Sequence, residues 1–177
     1  MKRNEAMSPD YQAMCHIITI PQKMLQLHDD DHLAEYILQD LSQKNCLNFQ
    51  KAAYFVDNPD FDCLKGIAGY SCTEPDFIHE KFWKNPKGGK EALQKSPFNT
   101  QVRSYLRASH KRGALADHHL VQEVADQLGM QHPQYCTWTM KHDNHGILMY
   151  QYANEEEAPS AHCVLSGACL LSFCTIH

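Results

Sequence analysis

Stretches rich in apolar residues, separated by short polar turns, predict two β-hairpins, and in the second hairpin the two arms also alternate in character. The first pairs strands at residues 51–57 and 63–70 across a turn at 58–60, and the second covers residues 135–153. Both arms of the second hairpin are rich in aromatic, β-branched and long apolar residues, and its centre at 143–146 is Asp-Asn-His-Gly. Such residues tolerate positive φ angles and close tight turns. We expect the rest of the fold to be organised around this second hairpin.

Apolar residues at helical spacing predict helices around the hairpins. One helix is expected within residues 31–44, after three consecutive acids that suit its N-terminus. A second begins at 96–97, where Ser-Pro is typical of a helix start, and a third covers 117–128 and ends at Gly129. A last helix is expected after Ser160, although a buried strand fits the same apolar composition.

Several shorter segments complete the predicted chain. Residues 15–20 fit either a short strand or the start of a helix, and residues 76–84 are expected to be helical. The Asn-Pro-Lys-Gly-Gly-Lys run at 85–90 predicts a flexible break, and residues 1–13 predict a flexible end. Glycines at 66 and 69 either allow a bulge or let another element approach the backbone closely.

The order of these elements is helix, hairpin, several helices, hairpin and helix. It predicts an α+β fold in which helices pack on the faces of an antiparallel sheet. At 177 residues the chain has the length of one domain, 1–177, and is long enough to bury a hydrophobic core without cross-links.

Composition narrows the possible partners and the compartment. The formal charge of −5 gives no electrostatic reason to bind nucleic acid or an anionic membrane, and no apolar run is long enough to span a bilayer. The first residues lack the hydrophobic core of a secretion signal. We therefore expect a cytoplasmic protein whose eight cysteines are free thiols, and no Cys-x-x-Cys motif indicates thioredoxin-like chemistry.

The element order resembles that of GAF-type sensor domains. The resemblance covers the helix at 31–44, the strand pair that follows it, a helical insertion, and the closing hairpin with its acidic turn and terminal helix. Residues 124–173 are similar to the ligand-binding domains of bacterial quorum-sensing regulators. Trp83, however, is followed by Lys87 where that group has a tyrosine, no Asp-Pro pair occurs, and no helix-turn-helix follows. Residues that bind acyl-homoserine lactones are therefore not carried over.

The resemblance implies a non-catalytic sensor with a small organic ligand held between the sheet and the inserted helices. The ligand would shift an equilibrium in the inserted segment 76–115, whose Gly/Pro/Lys loop at 85–90 would act as a lid, and a homodimer or a partner protein would receive the signal. The side chains expected to line the pocket are mostly aromatic: Tyr54, Tyr70, Phe77, Trp83, Trp138 and Met140, with Thr137, Thr139 or Tyr150 to orient polar ligand groups. The competing interpretation is that all of them are ordinary core residues.

Twelve histidines suggest a second hypothesis, a metal-dependent enzyme or redox sensor. His28 and His32 are four residues apart and enclose three aspartates, so one helical turn would bring both imidazoles together. A capped, solvated helix start explains the same residues. The cofactor stays unassigned, no catalytic residue is predicted, and a third hypothesis is an interaction protein with a fully packed core.

Overall fold

Five antiparallel strands form one sheet in the computed structural model, which describes residues 7–74, 81–111 and 117–174. The strands are β1 (Phe49–Asn58), β2 (Cys63–Ser71), β3 (Leu106–Arg107), β4 (Gln134–Thr139) and β5 (His145–Tyr152). Their order across the sheet is β3-β2-β1-β5-β4, with β1 central and antiparallel to both β2 and β5. Both predicted hairpins and the predicted antiparallel sheet are confirmed.

Helices occupy most of the remaining described chain. They are α1 (Pro9–Ile17), α2 (Ile20–Met24), α3 (Leu33–Leu41), α4 (Lys81–Lys84), α5 (Pro86–Lys95), α6 (Pro97–Arg103), α7 (Asp117–Leu128) and α8 (Ala161–Ala168). Short 3-10 turns lie at Lys141–Asp143, Glu155–Glu157 and Cys169–Phe173. The predicted helices within 31–44, from 97, at 117–128 and after Ser160 are confirmed, and so is the α+β class.

The sheet is covered on both faces. Alternate residues of β1 point to opposite sides, so Tyr54 and Val56 pack with α1, α2, α3 and α8. Ala53 and Phe55 pack on the other side with α6 and α7. We call these two sides the α3 face and the α7 face. No helix in the described ranges is long and apolar enough to cross a membrane.

The N-terminal segment is helical and packed. The Ser8 hydroxyl accepts a hydrogen bond from the Tyr11 N–H at 3.3 Å and caps α1, while Pro9 occupies its first turn. Ala13 and Ile17 are buried against the core. Residues 9–13 therefore belong to a helix and not to a flexible end, and residues 15–20 form no strand. The segment becomes ordered because one side of α1 is apolar enough to pack against α8.

The flexible break predicted at 85–90 is wrong, because these residues begin α5. Asn85 accepts a hydrogen bond from the Gly88 N–H at 3.2 Å, and Pro86 supplies a fixed φ in the first turn. Leu93 packs against Tyr36 of α3 and anchors the helix. A capped first turn and one buried leucine outweigh the low helix propensity of two glycines.

Removing the cap of α5 is expected to cost about 1 kcal/mol of unfolding free energy in Asn85→Ala, because the Gly88 N–H loses its acceptor. Urea unfolding followed by circular dichroism measures this difference. The matched Asn85→Asp variant keeps an acceptor oxygen at the same position and should retain the stability of the unmodified protein. Equal stability of the alanine and aspartate variants would contradict the capping role.

The turn of the second hairpin differs from the predicted one. The loop contains residues 141–143, His142 and Asp143 have φ angles of 59° and 55°, and the Met140 N–H donates to the Asn144 carbonyl at 2.7 Å. Gly146 lies inside β5, where the Trp138 ring occupies the space that a side chain would need. Positive φ at Asp143 was expected from its residue type. The glycine is required by the tryptophan and not by the turn.

Candidate functional site

The residues predicted to line a pocket collect on the α3 face. Among the described ones, every aromatic or methionine side chain contributes to the core on that face: Tyr54, Tyr70, Trp83, Trp138, Met140 and Tyr150. Phe77 lies outside the residues that the structure describes. The sequence pattern thus identified side chains that belong together in space.

Tyr54 contacts both Trp138 and Met140. The rings of Tyr54 and Trp138 stack with centroids 5.7 Å apart, and the Tyr54 hydroxyl donates to the Met140 sulfur at 3.7 Å. The Trp138 indole N–H donates to the Ser172 hydroxyl at 2.6 Å. Burial raises the pKa of Tyr54 well above its ordinary value. Protein groups already satisfy the polar atoms of the two rings.

Met140 lines an open groove of about 730 Å³ together with Thr139, whereas Tyr70 and Tyr150 are enclosed by protein. They are buried on the α3 face, Tyr150 stacks on Phe49 at 4.8 Å, and burial raises the pKa of both phenols to about 12. Thr137 and Thr139 are exposed and alternate with Trp138 along β4, so they point away from this cluster. A ligand-binding role for these strand residues stays a prediction.

Trp83 lies instead at the wall of an open cleft of about 320 Å³. The cleft, which we call the Trp83 cleft, is formed by four helices and the segment after α3. Its lining combines one aromatic ring with charged and amide side chains: His16, Lys23, Asp40, Gln43, Asn45, Trp83 and Lys84. The indole is held from behind by Tyr36, whose ring centroid is 5.8 Å away and whose hydroxyl donates to the Pro86 carbonyl.

Asp40 is the buried charge of the cleft. Its side chain is only 5% exposed, and the Lys23 ammonium donates to its Oδ2 at 2.6 Å. The His16 Nε2 is 3.8 Å from Oδ1 and has no hydrogen-bond partner among the described residues. Burial alone would raise the pKa of Asp40, but the hydrogen bond from the Lys23 ammonium and the nearby His16 imidazole hold it below its ordinary value. Asp40 is therefore an anion that orients the lysine.

Lys23 connects this carboxylate to the aromatic wall. Its nitrogen lies 5.7 Å from the centroid of the Trp83 ring, within the range of a cation–π interaction. An ammonium group has three protons, and the hydrogen bond to Asp40 uses one of them. With Lys84 at the exposed rim, the cleft contains two lysines and one aspartate, so its lining has an excess of one positive charge.

A larger groove of about 540 Å³ lies between the end of α6, β3 and α7. Arg107 there donates to the Glu123 carboxylate at 2.9 Å, and this hydrogen bond raises the pKa of the guanidinium. Both charges sit at the surface and neutralise each other. Because this groove lacks a buried charged group and has no excess charge from this pair, we consider the Trp83 cleft the better candidate site.

His28 and His32 do not converge on a metal. Helix α3 begins at Leu33, so neither histidine lies on a helix, and the His28 Nε2 lies 3.1 Å from the carboxylate of the exposed Asp29. The His32 Nδ1 is 3.3 Å from Glu35, a buried carboxylate that also accepts a hydrogen bond from Arg103. Across the parts of the chain that are described, no group of three or more His, Cys, Asp or Glu has the geometry to hold a metal ion.

The cysteines are free thiols, and those inside the core are unreactive by environment. Burial raises the pKa of Cys46, Cys136 and Cys174 to about 12, so the thiolate needed for redox chemistry is disfavoured there. Cys15 and Cys72 are the exposed ones. No observation at the buried thiols favours a redox sensor.

Of the residues that line the Trp83 cleft, the sequence pattern predicts Trp83 but not His16, Lys23 or Asp40. The only available signal was an aspartate inside the apolar-spaced helix α3, and its partners lie on helices that the sequence did not predict. Comparison with models of known protein families, with curated proteins and with solved structures found no match to this chain. Its function is therefore inferred from the fold and from the Trp83 cleft alone.

Proposed function

We propose that this protein is a non-catalytic sensor domain that binds a small organic anion in the Trp83 cleft. The observation that carries the proposal is the position of Lys23 between a buried carboxylate and an indole ring. Asp40 fixes the ammonium group without consuming all its protons, and Trp83 offers a flat apolar surface beside it. A ligand with a ring and one carboxylate or phosphate group matches both features.

The size and charge of the cleft support a small ligand of this class. A volume of about 320 Å³ is at the lower end of the range for small-molecule sites, which suits a single ring with one charged group. Lys84 at the rim adds a second cation that would attract an anion and then contact it. The amides of Gln43 and Asn45 can donate to ligand oxygens or accept from ligand hydroxyls.

Signalling would follow from the helices that form the cleft. Trp83 and Lys84 belong to α4, which leads directly into α5, whereas Lys23 and Asp40 belong to α2 and α3. A ligand that contacts both sides would favour one position of α4 and α5 over others, in the manner of a population shift. The GAF-like element order agrees with a sensor role, and we propose a cytoplasmic location, where free cysteines are stable. A partner protein or a second copy would receive the signal.

Charge selectivity is the first test of this proposal. We expect benzoate and phenyl phosphate to raise the melting temperature, neutral benzamide to raise it less, and cationic benzylamine not to raise it. At a ligand concentration of 100 times Kd the stabilisation is about 2.7 kcal/mol, which corresponds to roughly 5–10 °C for a domain of this size. Equal shifts for the four compounds, or none, would contradict binding of an anion.

A pair of lysine variants tests the location of the site. Lys84→Met removes the cation at the rim without touching Asp40, and we expect it to weaken phenyl phosphate binding by up to roughly fivefold. Lys87→Met makes the same charge change on an exposed residue of α5 that does not line the cleft. Isothermal titration calorimetry on both variants should show a loss only for Lys84→Met. An equal loss in both would place the anion elsewhere.

A further inference from the structure

A second groove adjoins the Trp83 cleft. It has a volume of about 710 Å³ and lies between the start of α1, the residues that follow α3 and the turn Glu155–Glu157. We call it the α1 groove. Gln43 and Asn45 line both the Trp83 cleft and the α1 groove. The two cavities therefore meet at these two side chains.

One side of α1 forms a continuous wall along both cavities. Pro9, Gln12 and His16 are three and four residues apart and therefore lie on the same side of the helix. His16 lines the cleft, whereas Pro9 and Gln12 line the groove. The Sγ of the buried Cys46 lies 4.0 Å from the Ala13 carbonyl oxygen, so the residues after α3 rest against α1. The wall from His16 to Pro9 is about 10 Å long.

The α1 groove differs chemically from the Trp83 cleft. Its charged lining residues, among those that the structure describes, are Lys44 and Glu157, whose opposite signs leave no excess charge. Met7, Pro9 and Cys46 supply apolar surface, and Met7 is 56% exposed although it is large and apolar. A methionine side chain adapts its shape to an apolar partner. The groove is therefore suited to an uncharged, apolar group.

We propose that the ligand of the Trp83 cleft carries an apolar tail that lies in the α1 groove. The tail depends on the function proposed above, and it narrows the ligand class to an amphipathic aromatic anion. The charged head contacts Lys23 and the ring contacts Trp83, while an alkyl chain passes Gln43 and Asn45 and follows α1. The wall of about 10 Å sets the length of chain that the protein can cover.

Two benzoates that differ only in the length of their tail test the proposal. A fully buried methylene strengthens binding about fourfold, and a methylene that is half covered in an open groove strengthens it about twofold. Isothermal titration calorimetry should therefore show roughly 15-fold tighter binding of para-pentylbenzoate than of para-methylbenzoate. Equal affinities would overturn the tail but leave the anion in the Trp83 cleft. No binding of either compound would overturn both proposals.

A pair of glutamine variants tests where the tail lies. Gln12→Glu places a strongly hydrated carboxylate in the wall of the α1 groove with little change in shape. The control, Gln122→Glu, makes the same change at an exposed residue of α7 that lines neither cavity. The ratio of the two benzoate affinities removes the effect of the new charge on the head of the ligand. This ratio should fall by about threefold or more in Gln12→Glu and stay unchanged in Gln122→Glu. Equal ratios in the two variants would place the tail elsewhere and overturn the proposal.

Discussion

Gly66→Ala is expected to destabilise the domain by about 3 kcal/mol or more, because α6 lies directly on the backbone of β2. A Cβ atom at Gly66 would collide with the carbonyl oxygen of Val102 and lie 2.8 Å from its carbonyl carbon. These are backbone atoms of α6, so the clash can be relieved only by moving the helix away from the sheet. The loss should be visible as a lower urea midpoint in circular dichroism.

Gly129→Ala is the matched control for this prediction. Gly129 ends α7 with a φ of 60°, and a Cβ atom there meets nothing within 4 Å. The substitution should lower the unfolding free energy by about 1 kcal/mol, because alanine disfavours a positive φ and no side chain is in the way. Similar stability losses in the two variants would show that α6 can move away from β2 at little cost, contrary to the close packing described above.

Asp40→Asn is expected to lower the unfolding free energy by about 2 kcal/mol at neutral pH. The substitution removes the charge that Lys23 and His16 surround. Breaking a fully buried ion pair destabilises a protein by more than this. The loss is smaller for Asp40 and Lys23 because a third of the Lys23 side chain is exposed and can regain contact with water. Urea unfolding at about pH 6 measures the loss, with Asp29→Asn, at an 88%-exposed side chain, as the control that should leave the midpoint unchanged.

The difference in unfolding free energy between the unmodified protein and Asp40→Asn should depend on pH. The pKa of Asp40 is lowered in the folded protein relative to its ordinary value of 3.8. Its charged form therefore stabilises the fold fully above that value, and the contribution disappears as pH falls through the lowered folded-state pKa. The stability gap between the unmodified protein and Asp40→Asn should shrink below about pH 4. A gap that is constant with pH, or absent at pH 6, would contradict a stabilising role for the charge.

Local patterns predicted the sheet well. The residues of β1, β2 and β5 are mostly buried, and the apolar composition that is typical of such a strand is contained within each strand. The two roles offered for Gly66 and Gly69 both occur: the register shifts beside Gly66, and α6 approaches both glycines. Sequence alone could not distinguish these two roles, because the helix that approaches the glycines lies about thirty residues further along the chain.

The two helices that the sequence did not predict, α1 and α5, are stabilised by contacts with residues that are distant in the sequence. Helices α1 and α5 contain weak or interrupted patterns, and each becomes stable through one cap and a few buried residues, such as Ala13 and Leu93. The Trp83 cleft depends on both helices, since His16 belongs to α1 and Trp83 lies two residues before Asn85, the cap of α5. The residues of this cleft come from four helices and therefore have no regular spacing in the sequence. Only Trp83 could be predicted, because of its residue type.

Fluorescence of Trp83 tests the proposed site most directly. The protein has two tryptophans, and in Trp138→Phe only Trp83 reports, while the aromatic stack with Tyr54 is preserved. We expect phenyl phosphate to change this emission saturably, with a weaker apparent affinity when Lys84→Met is added. In the reciprocal Trp83→Phe protein, Trp138 should not respond. No saturable change in Trp138→Phe, or the same change in Trp83→Phe, would show that the Trp83 cleft does not bind the anion.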